Sequence, residues 1–149
     1  MKKAYNTALK LINIKPRTSK EMEKKLQEKK FDSDIISQVI DKLKEYNFIN
    51  DMEYADNYVK YLYKLKKKGR FHIINKLREK GIDKDITDEA LSSYPEEEEY
   101  NISLELAKSK LGAKVIDDKQ VGKLTSFLRS RGFPEDIIYR VIKKIRFGE

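Results

Sequence analysis

Apolar residues recur at spacings of three and four along almost the whole chain. Leu26, Ile35, Ile36, Val39, Ile40 and Leu43 set the pattern. This is the rhythm of a buried helical stripe, and no sustained apolar–polar alternation marks a strand. Start signals punctuate the stripes. Thr18 with Glu21 forms a capping-box pattern, and Asn50 with Glu53 and Asp117 with Gln120 are similar. Gly81 and Gly132 stand where a left-handed residue closes a helix. Lys30 holds the same place earlier in the chain, where that conformation costs more. Asp32, Asp83 and Pro134 then open the next helix, with Asp34, Asp85 and Asp136 in its first turn, where carboxylates oppose the helix dipole.

The stripes repeat as a phrase. Lys24 to Leu43 (KKLQEKKFDSDIISQVIDKL), Asn75 to Tyr94 (NKLREKGIDKDITDEALSSY) and Ser126 to Ile145 (SFLRSRGFPEDIIYRVIKKI) are three copies of one pattern. Leu26, Leu77 and Leu128 share one position at a constant period of 51 residues, and Phe31, Ile82 and Phe133 another. A constant period indicates supersecondary units that stack to bury a continuous core. Each unit reads as three helices. The first has Tyr5 to Ile14, Ser19 to Lys29 and Asp32 to Tyr46; the second Asp51 to Lys67, Arg70 to Lys80 and Asp83 to Ser93; the third Glu96 to Leu111, Asp117 to Arg131 and Pro134 to Ile145. The expected fold is all-α, a tandem array of three three-helix repeats, elongated and curved. It forms a single repeat domain over 1–149 with units at 1–49, 50–95 and 96–149. The acidic run Glu96 to Glu99 is expected to cap the seventh helix.

Composition sharpens this picture. Charged residues make up 39% of the 149 residues, against roughly 25% in ordinary soluble domains, which fits an array that exposes much of every helix. Lys and Arg number 33 against 25 Asp and Glu, a net charge of +8. That balance favours polyanions as partners, nucleic acid before membrane. With no cysteine there is neither a disulfide frame nor a thiolate metal site. No apolar run reaches the roughly 18 residues of a transmembrane helix, and a cytoplasmic location is expected.

Catalytic chemistry is missing. Gly122-Lys123 lacks the upstream glycine of a phosphate-binding loop. His72 is the only histidine, so no histidine pair can hold a metal, and it reads as a polar helix flank beside Lys76. Asp117 and Asp118 point about 100° apart on a helix and serve capping better than catalysis. The expectation is a protein that is no enzyme and takes neither cofactor nor metal.

Binding chemistry is present. On the middle helices Lys25 and Lys29 lie one turn apart, as do Lys76 and Lys80; Phe127 and Arg131 take those places in the third unit, with Lys123 a turn earlier. Arg78 and Arg129 form a further aligned pair. Stacked in register, these cations make a ribbon suited to the phosphates of a strand. Lys29, Lys80 and Arg131 also end helices, where a cation stabilises by roughly 0.3–1 kcal/mol without a ligand, so both readings stand for them. A second cluster, Tyr54 to Arg70, interleaves Tyr54, Tyr58, Tyr61 and Tyr63 with Lys60, Lys64, Lys66, Lys67, Lys68 and Arg70. The stripe Tyr54, Tyr58, Tyr61 and Leu65 reads as core packing, and the lysine run into Arg70 as the contact.

Taken in order, NFINDMEYADNYV (Asn47 to Val59), the basic turn KKKGR, IINKLREKGIDKDI (Ile73 to Ile86) and SFLRSRGFPEDIIYRVI (Ser126 to Ile142) resemble the RecX regulatory proteins of bacteria. The similarity spans essentially the whole chain. It implies a modulator that binds the RecA recombinase filament on single-stranded DNA and mainly inhibits its ATPase, filament extension and strand exchange, within DNA repair, recombination and the SOS response. Duplex DNA is a secondary ligand under this resemblance, and a monomer is expected. The basic turn Lys67 to Arg70, the helix Lys76 to Lys80, and Arg129 and Arg131 are the positions it points to. The alternative is a direct nucleic-acid binder with no recombinase partner. Against it, the third helix of each unit starts acidic, unlike base-reading helices.

Overall fold

The computed structural model describes residues 1–148. Among them all regular structure is helical: α1 (Lys2–Ile14), α2 (Ser19–Glu28), α3 (Ser33–Glu45), α4 (Asp51–Lys60) running into a π turn (Tyr61–Leu65), α5 (Arg70–Glu79), α6 (Lys84–Leu91), α7 (Glu96–Leu111), α8 (Asp118–Ser130) and α9 (Glu135–Phe147). The fold is the expected helical repeat. Its surface of 9,229 Å² exceeds the ~7,900 Å² of a compact monomer of this mass, as an elongated array requires.

The start signals act as the spacing implied. Thr18 accepts from the Glu21 backbone N–H at 3.1 Å while the Glu21 carboxylate accepts from the Thr18 N–H. Asn50, Asp83 and Asp117 each cap their helix at 2.9–3.0 Å. Lys30 takes φ +70, beside +77 at Gly81 and +95 at Gly132, so the first copy makes the same left-handed turn without glycine.

Within each unit the first and third helices pack together and the middle helix lies against the third. The core is not continuous, which corrects the expectation. Ala4, Ala8, Met22, Leu26, Ile36, Val39, Leu43 and Ile49 close one cluster inside the first unit. A second cluster joins units two and three, with Val59, Tyr63, Leu77, Tyr94, Ile102, Leu128 and Phe133 among its buried members. The physical reason lies in the residues at the two joints. Thr18, Ser19 and Glu21 are polar and meet Asp51 and Lys80, whereas the second joint brings large apolar side chains together.

Both joints nevertheless share one plan. The turn closing each of α5 and α8 seats on the N-terminus of the preceding unit's middle helix. At the first, Thr18 Oγ1 donates to the Lys80 carbonyl at 2.7 Å. At the second, the Gly69 N–H donates to the Arg131 carbonyl at 3.0 Å and the Phe71 N–H to that of Gly132 at 3.0 Å. Thr18 and Gly69, like Lys80 and Arg131, are one repeat apart. An acid from the next unit's first helix completes each joint. Asp51 accepts from the Ser19 N–H at 2.8 Å, and Glu99 from the Arg70 N–H at 2.8 Å. Positive helix ends thus meet negative ones, as the macrodipoles favour.

Glu99 therefore does more than begin α7. Fully buried, it binds the Arg70 guanidinium at 2.7 Å as well as the N-terminus of α5. Glu96 and Glu97 of the same run pair with Arg140 at 3.8 and 2.9 Å. The run joins units and fastens α9, a correction to the local capping expected of it.

Candidate nucleic-acid interface

The second joint gathers cations. Lys66 and Lys68 lie on the loop between the π turn and α5, His72 and Lys76 on α5, and Arg131 at the end of α8. Burial holds the Lys68 ammonium below the usual lysine range, and the neighbouring charges of Arg131, Lys76 and Lys66 add to the effect. The His72 imidazole is likewise held below its ordinary range, first by burial, then by Lys68, Lys76 and Arg131, with Glu79 opposing. Lys68 and His72 thus sit in a positive field, which Glu79, paired with Lys76 at 3.4 Å, offsets only in part. An anion arriving there relieves the repulsion.

The backbone fixes this cluster. Lys67 takes φ +56, a left-handed conformation rare outside glycine. Arg131 holds the loop in place, donating from Nη2 to the Lys66 carbonyl at 2.6 Å and from Nε to that of Lys67 at 3.4 Å. Tyr94 secures the other side, its hydroxyl donating to the Lys68 carbonyl at 3.0 Å and its ring stacked 4.1 Å from that of Tyr63. Arg131 so acts partly as a brace, and its guanidinium also lies 5.8 Å from the Phe127 ring.

From Phe127 the positive surface extends across the third unit. Lys110, Lys119 and Lys123 surround a shallow groove that Phe127 floors, and the Lys110 ammonium sits 5.2 Å from that ring. Lys110 and Lys119 escaped the sequence reading. The signal for Lys119 was its place one turn before Lys123, on the same face of α8.

Other expected site residues fall elsewhere. Arg70 binds the buried Glu99 carboxylate and the Tyr94 carbonyl at 2.8 Å, a structural role at the joint that its place in the basic run did not reveal. Lys80 turns to Glu21 of the first unit at 3.6 Å and serves the first joint. Lys25 faces Glu28 at 4.0 Å on its own helix. Lys29, at the free end of α2, is exposed. Arg78 bonds Asn75 at 3.3 Å, and exposed Arg129 forks onto Glu135 at 2.5 and 3.1 Å. Tyr54 and Tyr58 pack half-buried against the second core as expected, and the stripe is corrected only at its end. Tyr63 is the buried member, while Leu65 stands 73% exposed and Tyr61 43%. The π turn is the cause, because its wider winding carries the residues after Lys60 round the helix axis.

Two family models match: the first three-helix domain of RecX over residues 4–43 and the second over residues 50–91. The chain belongs to the RecX family. "Regulatory protein RecX" of Clostridium botulinum (strain Eklund 17B / Type B) is 42% identical over 146 residues, covering 95% of this chain and 68% of that protein. The protein of the same name from Clostridium perfringens (strain 13 / Type A) is 35% identical over 151 residues, covering 99% and 70%. A crystal structure of RecX from Lactobacillus salivarius superposes with a TM-score of 0.91 at 32% identity, covering 97% of this chain and 95% of that one. The RecX fold accounts for both matched domains, and the joints described above lie between consecutive units of it. Among the described residues no helix is long and apolar enough to cross a membrane, and no group of three His, Asp or Glu is disposed to hold a metal ion.

Proposed function

We propose that this chain regulates the RecA recombinase. It binds the filament on single-stranded DNA and mainly inhibits ATP hydrolysis, filament extension and strand exchange. The observation that carries the reading is the gathering of Lys66, Lys68, His72, Lys76 and Arg131 at one joint, held there by the Arg131 bonds to the Lys66 and Lys67 carbonyls, with Glu79 the one acid felt by His72. Membership of a family whose relatives are called regulatory proteins supports it. The protein works as a cytoplasmic monomer without cofactor and catalyses nothing itself.

Inhibition would come from clamping. The first unit has its own core and the other two share one, so two linked bodies engage separate points of a filament. Linked contacts gain from effective concentration without any single strong interaction. Lys123, Lys119 and Lys110 extend the track along the third unit.

The test is a Lys68→Ala/Lys76→Ala double variant. Its inhibition of filament ATPase should weaken while helicity is unchanged, and the salt slope for single strands should fall by about 1.4, two phosphate contacts at ~0.7 each. Affinity for bare single strand, bare duplex and recombinase-coated strand at two salt concentrations completes it. Preference for the coated strand supports the regulator; equal or tighter binding to duplex supports a direct nucleic-acid reader. Unchanged ATPase inhibition by the double variant removes the cluster from the account.

A further inference from the structure

Where the end of α1 meets one face of α4, the first joint opens a groove of about 710 Å³, inside the ~300–1,000 Å³ span of small-ligand sites. One wall is the tyrosine stripe of α4. Tyr54 and Tyr58 meet edge to face at 5.9 Å, and Tyr58 and Tyr61 lie nearly parallel at 6.3 Å and 22°. Phe48 borders the same groove, 48% exposed, beside Tyr61 at 43%. Two large aromatic side chains are thus left half in water where they share a concave surface. Such rings gain by covering a flat apolar face.

The polar groups narrow the ligand. The Asn57 carboxamide faces the groove and makes no hydrogen bond among the described residues; it can donate and accept side by side. Glu53 and Arg17 are the charged residues lining it, one of each sign, and Arg17 Nε is turned to the Leu11 carbonyl at 3.2 Å, so the groove carries no net charge of its own. Further cations stand over the aromatic rings. Lys66 Nζ is 5.7 Å from the Tyr61 ring and Lys80 Nζ 6.0 Å from that of Tyr58. Lys66 also belongs to the cation cluster of the second joint. A groove with no net charge of its own, lysines over two of its rings, flat aromatic walls and an amide fits an uncharged heterocycle on a phosphate backbone.

We propose that this groove receives an unpaired base of the single strand whose phosphates rest on the cation cluster, stacking on Tyr61 and Phe48 and hydrogen-bonding Asn57. The proposal rests on the nucleic-acid reading above and adds a site for the base. A base held in a duplex cannot enter, so the groove favours single strands.

The test uses the full chain with two fluorescent probes of equal length, an oligothymidylate and an abasic phosphodiester strand. Tyr61→Ala should bind oligothymidylate about tenfold more weakly, the order of one lost base–aromatic stack, and the abasic strand as well as the wild type does. Tyr61→Phe should match the wild type on both. Lys68→Ala/Lys76→Ala should weaken both probes alike, keeping the phosphate track distinct from the base site. If Tyr61→Ala weakens neither probe, or both equally, the groove holds no base. If it loses affinity only for recombinase-coated strand, the groove takes a protein side chain and the proposal is overturned. If the wild type binds neither probe, the nucleic-acid reading fails and the groove proposal with it.

Discussion

The hydroxyl of Thr18 donates to the carbonyl of Lys80 at 2.7 Å, across 62 residues of chain. The same oxygen accepts from the Glu21 N–H at 3.1 Å. One buried side chain thereby starts α2 and binds the second unit to the first. Replacing Thr18 by Ala removes both bonds and should cost about 1–2 kcal/mol, whereas Thr18→Ser keeps the hydroxyl and most of that stability. Urea unfolding of the two variants checks this.

Gly132 should tolerate no side chain. It combines φ +95 with an approach so close that a Cβ would collide with the backbone nitrogen of His72. Gly132→Ala should cost at least the roughly 1–2 kcal/mol of a left-handed alanine, and the collision adds to it. Lys30 has the same turn but is exposed and seats on no neighbouring helix end among the described residues. Lys30→Gly should therefore stabilise, by up to about 1 kcal/mol. Thermal midpoints of the two variants should move in opposite directions.

Separate cores should open separately. Leu26 and Leu77 are both fully buried, one in each cluster, and truncating either to Ala should cost about 2–5 kcal/mol. Leu26→Ala should speed amide exchange in residues 2–49 alone. Leu77→Ala should speed it through units two and three together. Native-state hydrogen exchange reads the difference.

The repeat, the helix count and the caps were legible because each rests on local chemistry: a stripe, a cap residue, a left-handed turn. The joints were half legible. Thr18 was visible as a cap, but nothing local reveals that its hydroxyl also reaches Lys80. Glu99 and Arg70 were both singled out, yet apart: charge runs do not say which member will be buried 29 residues from its partner. The π turn was hidden as well, since an extra residue in one helical turn leaves the apolar spacing of Tyr54, Tyr58 and Tyr61 intact up to the point where it acts.

Anion binding should depend on pH through His72. In the free protein its imidazole titrates below the ordinary value of 6.5, so the folded state binds fewer protons than the unfolded one. Stability should then fall as pH drops below that value. A phosphate on the cluster raises the imidazole's proton affinity, so binding takes up a proton. Affinity for single strands should rise as pH falls from 7.5 to 5.5, and His72→Ala should flatten that rise. Fluorescence titration at fixed ionic strength checks both.

The way each closing turn sits on the helix before it gives the three described units two unlike outward faces. One is the C-terminus of α2, with exposed Lys29 and Lys30; the other is the N-terminus of α8, capped by Asp117. A stack built by one repeated head-to-tail operation has a sense of travel. A nucleic-acid strand and a helical polymer of identical subunits have one too, so such a molecule can be laid along either in two orientations that are never equivalent.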